Sequence, residues 1–233
     1  VAWAVDEGGS TSGAGIRDVT FSACIFAESL SNSLHPKREH SGGFLVHTGS
    51  RRIALVDNLF AHNHTRSPGV NGNSSLIIAN NLIYDSGAWG TGFWDVRDAP
   101  TGATQGVVIG NHYIAGPSSS ELRGHVALWS TIASGRTNWI RENLRSGGGR
   151  LIWQQRRTPS VIGAGPAPVA GIPVRAPRAV ERHVLRTAGA RPADRDSVDQ
   201  RIVAQVRRRT GRIISSPPTI VPANRRAGHP PLA

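Results

Sequence analysis

At 233 residues, with 27 glycines, 15 prolines and aromatics at only 6%, the chain can bury a sizeable core but is too turn-rich for a helical bundle. A single cysteine excludes an internal disulfide framework, and no run approaches the 18 apolar residues of a membrane-spanning helix, so no membrane partner is expected. The formal charge of +12 is lopsided: residues 1–116 carry 7 Lys+Arg against 9 Asp+Glu, a net of −2, which leaves 20 against 6, a net of +14, for residues 117–233.

That basic half is mostly arginine in Pro/Ala/Gly-rich sequence such as VRAPRAVERH and VRRRTGR. It lacks the interleaved aromatics of a base-stacking surface, so no nucleic-acid partner is expected. The chain opens in mid-pattern at Val1-Ala-Trp-Ala-Val and contains no methionine, which points to a piece of a longer protein.

Chemistry-bearing residues come first in Trp3-Ala-Val-Asp6-Glu7-Gly8-Gly9. Two adjacent acids ahead of a glycine turn offer hard oxygens to Ca²⁺, although the same pair also reads as a solvated turn. A strand-like run follows at Val19–Phe26, with Cys24 as a small buried hydrophobe. Next comes an insertion, Ser33-Leu-His35-Pro-Lys37-Arg38-Glu39-His40-Ser41-Gly42-Gly43. Its cations and imidazoles suit an acidic substrate, while a charge-balanced solvated loop is the plainer reading.

Further runs of apolar residues interrupted by one asparagine recur at 53–60, 76–84, 107–114 and 137–144. Taking Cys24, Asn58, Asn81, Asn111 and Asn143 as equivalent gives spacings of 34, 23, 30 and 32. Such a period is that of a coil repeated along a solenoid, and the β-branched alternation within each run argues strand. An asparagine at one corner can satisfy neighbouring backbone groups, tolerate a left-handed conformation, and form a ladder with its stacked copies. A right-handed parallel β-helix over 1–158 is the simplest architecture that fits, with an irregular sandwich as the alternative.

Between two of these runs lies NLFAHNHTRSPGVNG, with Arg66 ahead of Pro68. Stacking would bring Asp6, Lys37 and Arg66 from successive coils to one groove. His47, His62, His64 and His112 show no metal-binding spacing and read as surface or turn residues. From about Pro159 the pattern dissolves. Residues 159–233 read as a Pro/Gly-rich wrap (163–178), a helical turn at Val180–Leu185, a helix over Ser197–Arg209 capped by Ser197 and stopped by Gly211, and an irregular basic tail.

In order, WAVDEG, VTFSACIFAESLSNSLHPKREHSGG, DNLFAHNHTRSP and ANNLIYDSG resemble the pectate lyases, parallel β-helix polysaccharide lyases, and most closely their bacterial and fungal branch with a W-x-V-D-E motif. The resemblance covers residues 3–88 and, more loosely, the C-terminal segment. It implies Ca²⁺-dependent β-elimination of polygalacturonate by a monomer that is secreted or periplasmic. Arg66, in its R-x-P motif, matches the arginine that removes the C5 proton. Asp6 matches a calcium ligand with Glu7 beside it, and Lys37, His35 and His40 are the candidates for substrate binding. Two departures stand out: Gly42 falls where the family's lysine would be, and Asn71 where a second basic residue is expected. A β-helix that binds polysaccharide without cleaving it, or an adhesin module, is the alternative.

Overall fold

The computed structural model describes residues 1–37, 39–94, 104–129, 138–155 and 171–219. Arg38, the start of the fifth run at Thr137, residues 163–170 of the expected wrap and the tail from 220 lie outside the described residues. The chain forms a parallel β-helix whose coils contribute three strands each. The first coil holds β1 (Ser10–Ser12), β2 (Thr20–Ser22) and β3 (Ile25–Ala27), and the second β4 (Leu45–His47), β5 (Ile53–Val56) and β6 (Leu59–Ala61). The third holds β7 (Gly69–Val70), β8 (Ser75–Ala79) and β9 (Leu82–Tyr84), and the fourth β10 (Trp89–Phe93), β11 (Gln105–Ile109) and β12 (His112–Ile114). The fifth holds β13 (Gly124–Leu128), β14 (Trp139–Arg141) and β15 (Leu144–Ser146), followed by β16 (Ile152–Gln154). They stack as three sheets: β1-β4-β7-β10-β13-β16, β2-β5-β8-β11-β14 and β3-β6-β9-β12-β15.

Register follows from the alternation of side chains. In the second sheet Leu55, Ile78, Val108 and Ile140 are successive partners and point inward, while Ala54, Ile77, Val107 and Trp139 form the outward row. A one-residue slip would expose the whole inner row, so the pattern fixes the register. Each fully buried aliphatic side chain contributes about 1.5–3 kcal/mol. At the N-terminal end the same interior is filled by rings, with Phe26 stacked on Phe60 at 5.3 Å and edge-on to Phe44 at 5.2 Å.

The corner between the second and third strands of each coil carries the asparagine ladder. Oδ1 of Asn58, Asn81, Asn111 and Asn143 accepts the backbone N–H of Cys24, Asn58, Asn81 and Asn111 respectively, at 2.8–3.0 Å. The left-handed residue of the corner is not the asparagine but the one before it: Ala23, Asp57, Asn80, Gly110 and Glu142 all have φ between 51° and 66°.

The third sheet is apolar on both faces because two helices cover its outside. Helix α1 (Pro177–Thr187) buries Val180, Val184 and Leu185, and α2 (Ser197–Arg208) buries Ile202, Val203 and Val206, against Ile25, Leu59, Leu82 and Tyr84. The expected turn at Val180–Leu185 is thus a helix of 11 residues. The cap of α2 is Asp196 rather than Ser197, since its carboxylate accepts from the N–H groups of Val198 (3.0 Å) and Asp199 (2.9 Å). Left-handed Arg209, ahead of Gly211, ends this helix. A bidentate pair from Arg201 to the buried Glu28 (Nη2–Oε2 2.7 Å) pins α2 to the first coil.

His62 and His112, read as surface or turn residues, are buried. His62 meets Asp85 at 2.8 Å with neither side chain exposed, and His112 lies within β12. His125 of β13, 1% exposed, lies 3.1 Å from the Gly148 carbonyl, and burial pushes its pKa down to about 4. An unfolded histidine titrates near 6.5, so between these values the unfolded chain binds the extra proton. Stability from this residue is complete above pH 6.5 and is lost as pH falls toward 4, by roughly 3 kcal/mol in all. Urea titrations at pH 7 and pH 4.5 are expected to show His125→Gln losing markedly less than the parent chain. Equal losses in both would assign the acid sensitivity elsewhere.

Candidate functional site

Three segments that precede strands of the first sheet stack directly on one another: Glu7 bridges Gly42, and Gly42 bridges Thr65, both in parallel. Backbone hydrogen bonds join them, from Gly42 N–H to Asp6 O (3.1 Å), Gly8 N–H to Gly42 O (3.0 Å) and Thr65 N–H to Ser41 O (3.0 Å). Residues distant in sequence are thereby held one strand spacing apart. Arg66, left-handed at φ 56°, projects from the third of these segments toward the first.

Its side chain spans the middle coil. Arg66 Nη1 donates to Glu7 Oε1, and lies 2.8 Å from His40 Nε2 and 3.5 Å from Asp6 Oδ1. A Cβ added at Gly42 would come 3.0 Å from Glu7 Cγ and 3.3 Å from Arg66 Cδ. Glycine at this position is therefore the space through which acid and guanidinium meet.

His40 Nε2 is also 2.8 Å from Asp6 Oδ1. Unprotonated, that nitrogen accepts from Arg66; protonated, it donates to Asp6. His35 stacks on His40 at 4.2 Å and 8°, with its Nε2 3.5 Å from Asp6 Oδ2 and its Nδ1 accepting the Lys37 N–H at 3.1 Å. Five of the six expected residues thus converge. The sixth, Lys37, is exposed and meets the cluster through its backbone N–H on His35 Nδ1.

Burial raises the pKa of Asp6, but the hydrogen bond with Glu7 and the charges of His40 and Arg66 outweigh it and hold the carboxyl below the usual range. Burial, then the Asp6 carboxyl, pushes Glu7 up to about 7 against the Arg66 guanidinium. His40 is held below its ordinary value by burial and by Arg66. The adjacent acids are driven apart, and an imidazole that favours its neutral form lies beside them.

Calcium takes six to eight oxygens. Oδ1 of Asp6 is buried against His40 Nε2, and the Glu7 carboxylate is engaged by Arg66. The groups that gather with Asp6 within 4.8 Å are imidazole nitrogens of His35 and His40, which suit zinc, nickel or copper better than calcium. The described residues do not fit a calcium ion held by protein alone.

The cluster opens into a cleft of about 500 Å³ lined by His40, His64, Arg66, Trp89, Trp94 and Trp129, among others. The tryptophans were not picked out from sequence. The signal available was Trp89-Gly-Thr-Gly-Phe-Trp94, where two bulky rings bracket alternate glycines.

No family model matches the chain. The chain is similar to curated fungal proteins named probable pectate lyase C. It is 34% identical to that of Aspergillus terreus over 120 residues, 52% of this chain and 25% of the relative. It is 30% identical to that of Aspergillus flavus over 220 residues, 88% of this chain and 46% of the relative, and 27% identical to that of Aspergillus fumigatus over 219 residues with the same coverage. No helix among the described residues is long and apolar enough to cross a membrane. The chain spans about half the length, or less, of the curated relatives it matches.

Proposed function

We propose that the chain carries the site of a pectate lyase-like polysaccharide lyase, acting on polygalacturonate or a related uronan by β-elimination. The carrying observation is the convergence of Arg66, His40, Asp6 and Glu7 at the head of an open cleft. The reaction removes the C5 proton, forms the C4–C5 double bond and breaks the bond from C4 to the glycosidic oxygen, which leaves as a hydroxyl after taking a proton.

Arg66 is the proposed catalytic residue. Its fork can bind the uronate carboxylate next to C5 and stabilise the enolate-like charge that develops there. An arginine is a poor base because it is cationic at any ordinary pH. The imidazole of His40, against Arg66 and below its ordinary pKa, is the nearest group suited to accept the proton. Asp6 would then steady the imidazolium, as its 2.8 Å contact allows. Calcium, which the resemblance implies, enters this proposal with the substrate: uronate carboxylates would supply most of its oxygens and Asp6 one, with the effect of neutralising substrate charge. Action by a monomer, secreted or periplasmic, belongs to the same proposal.

Two observations favour a second reading, a β-helix that binds uronan without cleaving it. Arg66 is already engaged by Glu7, and Asn71 stands where a helper cation is expected. The two separate in one assay. The full chain is incubated with polygalacturonate, with Ca²⁺ and with chelator, and absorbance of the unsaturated product is followed. Product in the calcium arm supports the lyase; retention on a polygalacturonate gel with no product in either arm selects the binder.

A further inference from the structure

Four of the six tryptophans lie together on the outer side of the first sheet, beside the cleft and apart from the interior clusters. Trp89 and Trp94 bracket β10, Trp129 follows β13 and Trp153 lies in β16, so they come from successive coils. Their rings form a continuous edge-to-face chain, Trp94 to Trp89 at 5.6 Å, Trp89 to Trp129 at 4.9 Å and Trp129 to Trp153 at 5.7 Å. All four are half-buried, which leaves part of each ring open to solvent.

The backbone beneath them is cleared by glycine. A Cβ at Gly92 would come 2.3 Å from Trp89 and 2.9 Å from Trp129, one at Gly69 2.8 Å from Trp94, and one at Gly124 2.7 Å from Trp153. Gly69 and Gly92 are register partners, so the rings rest against bare strand rather than on side chains. At one end Arg66 approaches Trp94 with its guanidinium carbon 6.0 Å from the ring centre, and at the other Arg123 approaches Trp153 at 5.8 Å.

We infer that Trp89, Trp94, Trp129 and Trp153, with Arg66 and Arg123, form a stacking platform for successive units of an acidic glycan. A pyranose ring has a face of C–H bonds, slightly positive, that meets the electron-rich face of an indole. A carboxylate on the same sugar meets an arginine fork. The span from β7 to β16 is three strand spacings, about 14 Å, enough for several sugar units. Rings backed by flanking cations could also hold single-stranded nucleic acid by base stacking. The glycan is favoured because the platform runs without a break into the Arg66–His40 cluster, whose chemistry suits a uronate. The inference rests on the reading of that cluster as a uronan site and adds where the rest of the chain lies.

The test reads binding rather than turnover. The full chain is labelled with 5-fluorotryptophan and titrated with oligogalacturonates of two and six units, with calcium and with chelator, under ¹⁹F NMR. The hexamer is expected to shift the resonances of the four platform tryptophans, assigned by single Trp→Phe changes, and to leave Trp3 and Trp139 in place. Trp153→Ala is expected to weaken hexamer affinity at least tenfold and to flatten its advantage over the dimer, with Trp153→Tyr keeping most of it. Unmoved platform signals at saturating hexamer, or equal affinity in Trp153→Ala, would overturn the platform, as would displacement of the hexamer by a single-stranded oligonucleotide that binds more tightly. Platform shifts in a chain that releases no unsaturated product would remove the lyase reading and leave the platform standing.

Discussion

Replacing Arg66 by lysine is expected to lower kcat/KM on polygalacturonate by on the order of 10²-fold or more, with most of the loss in kcat. Lysine keeps the charge but not the planar fork, so it can pair with Glu7 or with the substrate carboxylate at one point only. An interaction that strengthens as charge develops at C5 is lost from the transition state and barely registers in substrate binding. Arg66→Ala should be worse on two counts, because it also leaves Glu7 without the partner that Nη1 provides. Breaking a buried ion pair from one side typically costs about 3–5 kcal/mol, to be discounted here because both side chains keep some exposure, 19% and 13%.

The paired variant Arg66→Leu/Glu7→Gln separates the two effects. It should recover stability toward that of the parent chain in thermal melts while staying inactive. Recovery of turnover with stability would mean that Arg66 acts by holding the cluster together. His40→Gln supplies the complementary result: loss of turnover with Arg66 still in place would assign the proton to the imidazole.

The solenoid was legible because its determinants are periodic. The spacings of 34, 23, 30 and 32 between ladder positions are the sequence separations of the hydrogen bonds that join them. One residue type recurring at one corner sets how far the chain travels before it stacks on itself. Convergence of Asp6 and Arg66 followed from the same stacking, since Glu7, Gly42 and Thr65 occupy equivalent places in three coils. The side chain of Lys37 stays exposed in the same insertion whose histidines, His35 and His40, turn toward Asp6, and no strand register decides which of the three faces inward.

Other features depend on pairs that no local pattern reveals. Gly42 is a glycine on account of residues 35 positions before and 24 after it. The tryptophan row combines side chains from three coils, seated over glycines of β7, β10 and β13. His62 is buried because Asp85, one coil on, and Gly211, beyond α2, close over it. Residue type alone could not anticipate that a histidine in a turn would be covered by a segment 149 positions away.

The ladder supplies the largest expected change in stability. Oδ1 of Asn81 accepts both the backbone N–H (2.9 Å) and Nδ2 (3.0 Å) of Asn58, while its own Nδ2 donates to the carbonyls of Leu55 (2.8 Å) and Ala79 (3.1 Å) and to Asn111 Oδ1 (3.0 Å). Asn81 is fully buried, so no water replaces it when the side chain is cut back. Each buried polar group left without a partner costs about 1–3 kcal/mol, and allowing for relaxation among four neighbours, Asn81→Ala should lose roughly 3–5 kcal/mol. Asn81→Asp keeps the acceptor, loses all three contacts that Nδ2 donates and buries a charge, so it should be no better. Asn143, half-buried at the far end of the described rungs, bonds to Asn111 and Val108 but supports less buried neighbours, and Asn143→Ala should cost about half as much. Urea midpoints for the three variants decide the matter. A ladder that carries the coil corners requires the interior rung to be the costliest, and equal small losses at Asn81 and Asn143 would show that the packed interior column, with the asparagines as passengers, sets the stability of the solenoid.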